Sequence, residues 1–364
     1  MLALGLQSRF FSRSVLVLFA AAALACGGAK NEEGAAPVPG ASPTDEAAAS
    51  SSLTLGAYTT PREAYGTAII PAFTKHWADS SKKKLEARES YLGSGAQARA
   101  IIGGFEADVA ALSLEPDIQK IQDAKLITHD WKSGEHKGVV TRSIVVIGVR
   151  KGNPKGIKDW EDLAKPGVEV LTPDVRTSGG AMWNVAAIYG AALRGHTGRA
   201  KDDAAAATKL LGEILKNVKI LDRGARESLL NFERGVGDAI ITYENEILVG
   251  KQGGKDYEYV IPKSTILIEN PVAVVDVYAK KHGSEDVAKA FVEFLFTPEA
   301  QRAFAAHGLR PVLPEVANEV AAKYPVPTDL FTVRDLGDWA GVDTSIFAKG
   351  AAYDTAFAAG RGGQ

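Results

Sequence analysis

Cysteine is nearly missing from this chain: Cys26 is the only one in 364 residues, so no intramolecular disulfide can form. A surplus of one charge is missing as well. With 42 basic and 44 acidic residues the formal net charge is -2, and nothing in the sequence forms the basic domain or stripe that nucleic-acid binding needs. Beyond the N-terminus no apolar run is long enough to span a bilayer. His76, His129, His136, His196, His282 and His307 show no ligand spacing of the His-Glu-x-x-His kind, so neither a metal site nor a cofactor is expected. What remains is 46% hydrophobic and 24% charged, the composition of a soluble globular protein, at a length that suits two domains.

Residues 1–25 read as an export signal. Arg9 and Arg13 precede the apolar stretch Val15 to Leu24, which is too short for a membrane span, and small residues lead up to Cys26. Ala23-Leu24-Ala25-Cys26 resembles a bacterial lipobox, in which the cysteine is acylated and becomes the mature N-terminus; simple cleavage and periplasmic release is the alternative. Lipidation of Cys26 would place a membrane-anchored protein in the periplasm. Residues 26–52 are rich in Ala, Gly, Pro, Ser and Glu and hold no aromatic residue, so they cannot bury enough surface to fold and are expected to form a disordered tether.

From Leu53 onward the pattern alternates short apolar runs with helical stretches, which predicts an α/β protein with parallel sheets. Leu53-Thr54-Leu55 opens it, and Thr59-Thr60-Pro61 marks a helix start. Ala107 to Leu112, Ser143 to Val149, Val168 to Leu171, Val218 to Leu221, Gly237 to Thr242 and Val272 to Val277 read as strands. Several runs end in glycine-bearing turns: Gly93-Ser94-Gly95, Thr177-Ser178-Gly179-Gly180 and Asp222-Arg223-Gly224-Ala225. Glycine lets a backbone approach a ligand, and the first amides of a helix have no internal partner while its dipole favours negative charge. Each turn taken alone reads equally well as an ordinary helix cap. None matches a P-loop, a dinucleotide fingerprint or a Gly-x-Ser-x-Gly hydrolase elbow.

Glu244, Glu246 and Asp238 are the candidates for acid–base chemistry, but residues two apart on one segment seldom face one another, and no histidine or cysteine stands with them. An enzyme is therefore not expected. A scaffold or adhesion lipoprotein without a ligand is a further reading.

Taken together, Gly93-Ser94-Gly95-Ala96-Gln97-Ala98, Glu106-Ala107-Asp108-Val109, the run from Val149 to Trp160, Ser178-Gly179-Gly180-Ala181, Leu221 to Arg226, Arg234 to Asp238 and Tyr243-Glu244-Asn245-Glu246 resemble the periplasmic sulfate-binding proteins of ABC transporters, a family that includes thiosulfate binders. The resemblance spans residues 53 to about 340. It implies a type II periplasmic binding protein fold, with two α/β lobes joined by a hinge of crossing strands: lobe I from 53–139 and 263–364, lobe II from 140–262. It also implies a monomer that holds a dehydrated oxyanion between the lobes, mainly by backbone amides, and delivers it to permease subunits. Residue by residue, Ser94, Ser178, Gly179, Gly180 and Ala225 match the family's ligand-binding positions. Two positions depart: Thr59 stands where the family usually has aspartate, and Tyr243 where it has tryptophan, exchanging a pure donor for a hydroxyl that donates or accepts. Sulfate carries no proton and suits a donors-only site, whereas monohydrogen phosphate wants an acceptor. The implied ligand is sulfate or thiosulfate, with another oxyanion such as molybdate or phosphate as the alternative. Arg226 and Arg62 could damp the anion's charge from behind the contacts or form surface ion pairs.

Overall fold

The computed structural model describes residues 50–361. The export signal, Cys26 and the tether up to residue 49 lie outside the described residues. Residues 50–52, expected to end the tether, instead open the first strand.

The elements alternate as the apolar pattern predicts. In chain order they are β1 (Ser50–Tyr58), α1 (Arg62–Ala64), α2 (Ile70–Ser81), β2 (Lys84–Leu92), α3 (Ser94–Ile102), β3 (Val109–Ala111), α4 (Glu115–Asp123) and β4 (Val139–Val149). There follow β5 (Val170–Pro173), α5 (Gly179–Leu193), α6 (Ala204–Lys216), β6 (Val218–Asp222), α7 (Ala225–Glu233), β7 (Ala239–Tyr243), α8 (Glu244–Gln252), β8 (Glu258–Val260) and β9 (Ser264–Val274). The chain ends with α9 (Asp276–His282), α10 (Glu285–Leu295), α11 (Pro298–Ala306), α12 (Pro314–Glu319), β10 (Asp329–Phe331), α13 (Asp338–Val342) and α14 (Ala352–Arg361).

Strand order is β2-β1-β3-β9-β4-β7-β5-β6. At the centre β4 and β9, 11 residues each, run antiparallel to one another. They are long enough to serve two lobes: β9 pairs with β3 at one end, and β4 pairs with β7 and β8 at the other. Outside this crossing pair the strands are parallel, β1 with β2 and β3 in one lobe and β5 with β6 and β7 in the other. This is the type II periplasmic binding fold, with two α/β lobes and a hinge of crossing strands. Parallel strands need helical crossovers, so each strand's C-terminal end feeds a turn and then a helix. Ligands gather beyond such ends. Here six of them, after Tyr58, Leu92, Ala111, Pro173, Asp222 and Tyr243, supply the segments described below.

Three features differ from the expectation. The strand expected to reach Val277 stops at Val274, and Asp276 already begins α9, its carboxylate accepting the Thr128 amide at 2.5 Å. Pro61 sits at the N-cap of α1 instead of in its first turn. The C-terminal part of the stretch assigned to lobe I packs elsewhere: Phe331, Val342, Ile346, Tyr353 and Ala356 share a core with Leu210, Leu211 and Ile214 of α6. Close backbone approach explains the attachment. A Cβ on Gly360 would lie 2.6 Å from the Gly212 carbonyl, and one on Gly190 would lie 2.5 Å from the Phe331 ring, so glycines admit α14 and β10 against α6 and α5.

Candidate functional site

Three helix starts face the space between the lobes without a side-chain cap. Gly93 is the N-cap of α3, Ser178 of α5 and Gly224 of α7, and none caps with its side chain. The amides of Ser94, Gly179, Gly180 and Ala225 are the first of their helices, and none hydrogen-bonds to a described residue. The same holds for the amide of Thr59, in the turn after β1. Ser94, Gly179, Gly180 and Ala225 are nevertheless buried, and unpaired buried amides are rare in folded proteins. The Ser178 hydroxyl, on a residue 4% exposed, also has no protein partner among the described residues.

These donors come from distant parts of the chain and meet. A Cβ on Gly180 would lie 3.3 Å from Ala225 Cβ, 3.4 Å from Ser178 Oγ and 2.9 Å from Tyr243 Cε2. One on Gly224 would lie 3.7 Å from Thr59 Oγ1. One on Gly93 would strike the Thr177 carbonyl at 2.5 Å and the Arg223 carbonyl at 3.0 Å, so lobe I reaches both glycine-bearing turns of lobe II. The structure thus brings the turns that carry Thr59, Ser94, Ser178, Gly179, Gly180, Ala225 and Tyr243 close together.

Two of them act differently from a simple donor. Ser94 Oγ donates to the buried carboxylate of Asp117 at 2.7 Å and accepts from the Ser113 amide at 3.0 Å, which leaves its backbone N–H for the cleft. Asp117 in turn pairs with Lys120 at 2.9 Å. Tyr243 is 1% exposed, and its hydroxyl shares a 2.6 Å hydrogen bond with Ser113 Oγ. Burial pushes the Tyr243 phenol far above its ordinary range, so it is a neutral hydroxyl at physiological pH.

Ser113, in the turn between β3 and α4, is the residue the sequence did not single out. Its amide meets Ser94, its carbonyl accepts from Trp183 Nε1 and from Asn270 Nδ2, each at 3.1 Å, and its hydroxyl meets Tyr243. A Cβ on Gly179 would lie 2.6 Å from Ser113 Oγ. One serine thus joins both lobes and a crossing strand. The tripeptide Leu112-Ser113-Leu114 carries no glycine or proline to flag it.

Charge around the site is organised by Arg226, the second residue of α7. Its guanidinium crosses the cleft to Glu63, with one contact at 2.7 Å and a shorter one beside it, and to the Thr60 carbonyl at 3.4 Å. Its Nε lies 2.8 Å from Glu246 Oε2, off the line of a hydrogen bond. Burial pushes Glu246 above the usual carboxylate range, and the Arg226 charge opposes that shift. Arg62, by contrast, is exposed over the Tyr91 ring at 5.5 Å.

The carboxylates considered for catalysis are parted. Glu244 forms a two-pronged pair with Arg310 at 2.7 and 2.9 Å, Glu246 faces Arg226, and Asp238 accepts from the Glu169 amide at 2.9 Å. Among the described residues no group of His, Cys, Asp and Glu could hold a metal ion, and no helix is long and apolar enough to cross a membrane. A group of helix-start amides on buried residues, with a hydroxyl beside them, suits an anion.

Comparison with known proteins bears on the same site. Residues 53–310 match the family model described as bacterial extracellular solute-binding protein. The chain is 45% identical over 304 residues to a sulfate-binding protein of Synechococcus elongatus, covering 83% of this chain and 85% of that one. It is 38% identical over 311 residues to a thiosulfate-binding protein of Escherichia coli, covering 84% and 90% respectively. The solved structure of the sulfate-binding protein SubI from Mycobacterium tuberculosis is similar, with a TM-score of 0.73 at 38% identity over 82% of this chain and all of that one.

Proposed function

The chain belongs to the bacterial extracellular solute-binding proteins, within the sulfate-binding protein family, and on that premise we propose that it captures sulfate or thiosulfate between its lobes and presents the anion to an ABC-type permease. What supports this reading is the set of amides on Thr59, Ser94, Gly179, Gly180 and Ala225, the last four on buried residues, with the Ser178 hydroxyl, none of them partnered among the described residues. Five amides that can only donate, with one hydroxyl beside them, favour a fully deprotonated tetrahedral anion. The carboxylate beneath Ser94, Asp117, is engaged by the Ser94 hydroxyl and by Lys120. The reading is of a receptor: Glu244 pairs with Arg310, Glu246 faces Arg226 and Asp238 accepts from the Glu169 amide, so the three carboxylates weighed as acid and base do not face one another. Residues 53–139 with the first part of the C-terminal stretch form lobe I, and 140–262 form lobe II. Export through residues 1–25 and acylation at Cys26 would hold this receptor at a membrane in the periplasm, as a monomer.

The test is a thermal-shift series with sulfate, thiosulfate, molybdate and phosphate on the native chain and on Gly179→Asp. A Cβ there meets Ser113 Oγ and the carboxylate adds negative charge against the anion, so sulfate should stabilise the native chain and leave the variant unmoved. A variant stabilised as much as the native chain would place the cradle elsewhere.

A further inference from the structure

Tyr243 closes β7 in one lobe, and Ser113 follows β3 in the other. Their hydroxyl oxygens stand 2.6 Å apart, and both residues are buried. A hydroxyl carries one hydrogen and two lone pairs, and that of Tyr243 has two protein partners, Ser113 Oγ and the side-chain amide of Asn270. Asn270 stands on the crossing strand β9, and its Nδ2 also donates to the Ser113 carbonyl at 3.1 Å, so one amide holds both residues. Towards Gly180, Tyr243 presents carbon: a Cβ on that glycine would meet its ring Cε2 first, at 2.9 Å. The hydroxyl is thus engaged by protein, and its bond with Ser113 joins the two lobes.

From this geometry we infer that Ser113 and Tyr243 are positioning residues that latch the lobes over the captured anion, the Tyr243 hydroxyl serving the lobe contact and not the anion. The inference rests on the oxyanion reading above and assigns a role within it. The anion's donors remain the amides and the Ser178 hydroxyl. The Ser113–Tyr243 bond acts on how long the closed arrangement lasts. A bond that forms only when the lobes meet has no part in the first encounter of the anion with the open protein, so removing it speeds release and leaves capture unchanged. Trp183 Nε1 on the Ser113 carbonyl and Arg226 on Glu63 also bridge the lobes, and neither uses these two hydroxyls. Closure therefore survives the loss of the latch and is shorter-lived.

Stopped-flow mixing with sulfate, followed by tryptophan fluorescence, tests the inference on the native protein, Ser113→Ala, Tyr243→Phe and the double variant. Each single variant should release sulfate about three- to tenfold faster, the size of one neutral hydrogen bond, with the association rate unchanged within about twofold. The double variant should release it no faster than either single one, because both changes remove the same bond. Ser113→Gly takes the place of Ser113→Ala should that variant fold poorly. A direct contact between Tyr243 and the anion would instead slow nothing in Ser113→Ala, weaken binding in Tyr243→Phe alone, or give losses that add in the double variant, and any of these would overturn the inference. So would native release rates in both single variants, whatever their melting temperatures, or a loss confined to the association rate. All of these leave the sulfate reading standing, whereas a native protein that binds neither sulfate nor thiosulfate would overturn both.

Discussion

Gly93 contributes by what it lacks. Its backbone, with φ −57° and ψ 142°, is one that alanine adopts freely, yet a methyl group there would meet two carbonyls of the facing lobe at 2.5 and 3.0 Å. The clash exists only while the lobes touch. Gly93→Ala should therefore leave the melting temperature of the anion-free protein unchanged or slightly raised, since alanine lowers the entropy of the unfolded chain. It should weaken sulfate by about tenfold or more in a calorimetric titration, a cost of about 1.4 kcal/mol or above. Native affinity in this variant would show that closure does not bring Gly93 to Thr177. Arg226 presents the opposite case, a charge that other charges require. Removing it leaves Glu246 buried at 0% exposure without its cation, and breaking one partner of a buried pair costs about 3–5 kcal/mol. Arg226→Met should lose stability of that order in denaturant melts, and adding Glu246→Gln should recover a sizeable part. A loss below about 1 kcal/mol would mean that water already screens Glu246. Residues of the first kind stand out in a sequence, because glycine and serine before a helix mark its start, although an ordinary cap looks the same. Ser113 was not, because a lone serine between two leucines looks like the end of any buried strand, and its four contacts come from residues up to 157 positions away.

Among the elements, α5 shows how local signals and tertiary contacts divide the work. Its start is written locally in Ser178-Gly179-Gly180, but its far end is held by Arg194, which clasps Asp329 of β10 at 2.5 and 2.6 Å while Ser264 of β9 donates to the same carboxylate. These contacts hold the Asp329 carboxyl at about 2, below its ordinary value. A depressed carboxyl stabilises the fold above its unfolded-state value and loses that contribution as pH falls toward 2. Acid unfolding should thus be shallower in Asp329→Asn than in the native protein between about pH 4 and 2, with the curves differing by on the order of 1–2 kcal/mol; superimposable curves would refute the assignment. The α6–α14 contact is a second case. Leucine at Gly212 would press on the Ala356 carbonyl, 3.1 Å from a Cβ, and overpacking of this kind costs about 1–3 kcal/mol. Gly212→Leu should lower the melting temperature with sulfate affinity unchanged within about twofold, because α14 packs on α6, which carries none of the proposed anion-binding residues. Legibility differed among elements for physical reasons. The strand β2 passed unnoticed since Lys84, Glu86 and Arg88 keep an edge strand charged. The attachment of α14 was invisible because it depends on a glycine 148 residues earlier, and spacing along the chain says nothing about which lobe a helix will meet.

For the molecule as a whole, two lobes share one site and neither holds it alone. Thr59 and Ser94 stand on one side, Ser178, Gly179, Gly180, Ala225 and Tyr243 on the other, and the Ser113 and Arg226 bridges cross between them. The alternation of short strands and helices announced this architecture, and the order of the glycine turns pointed to the proposed site. Neither announced how the lobes touch. An anion that completes the proposed donor set should favour the touching arrangement, because the donors come from both lobes. Isothermal titration of sulfate into the purified protein tests this most directly. The account predicts a single site per chain with a dissociation constant of about one micromolar or tighter. An absence of heat from sulfate and thiosulfate alike, together with an unmoved melting temperature, would contradict it.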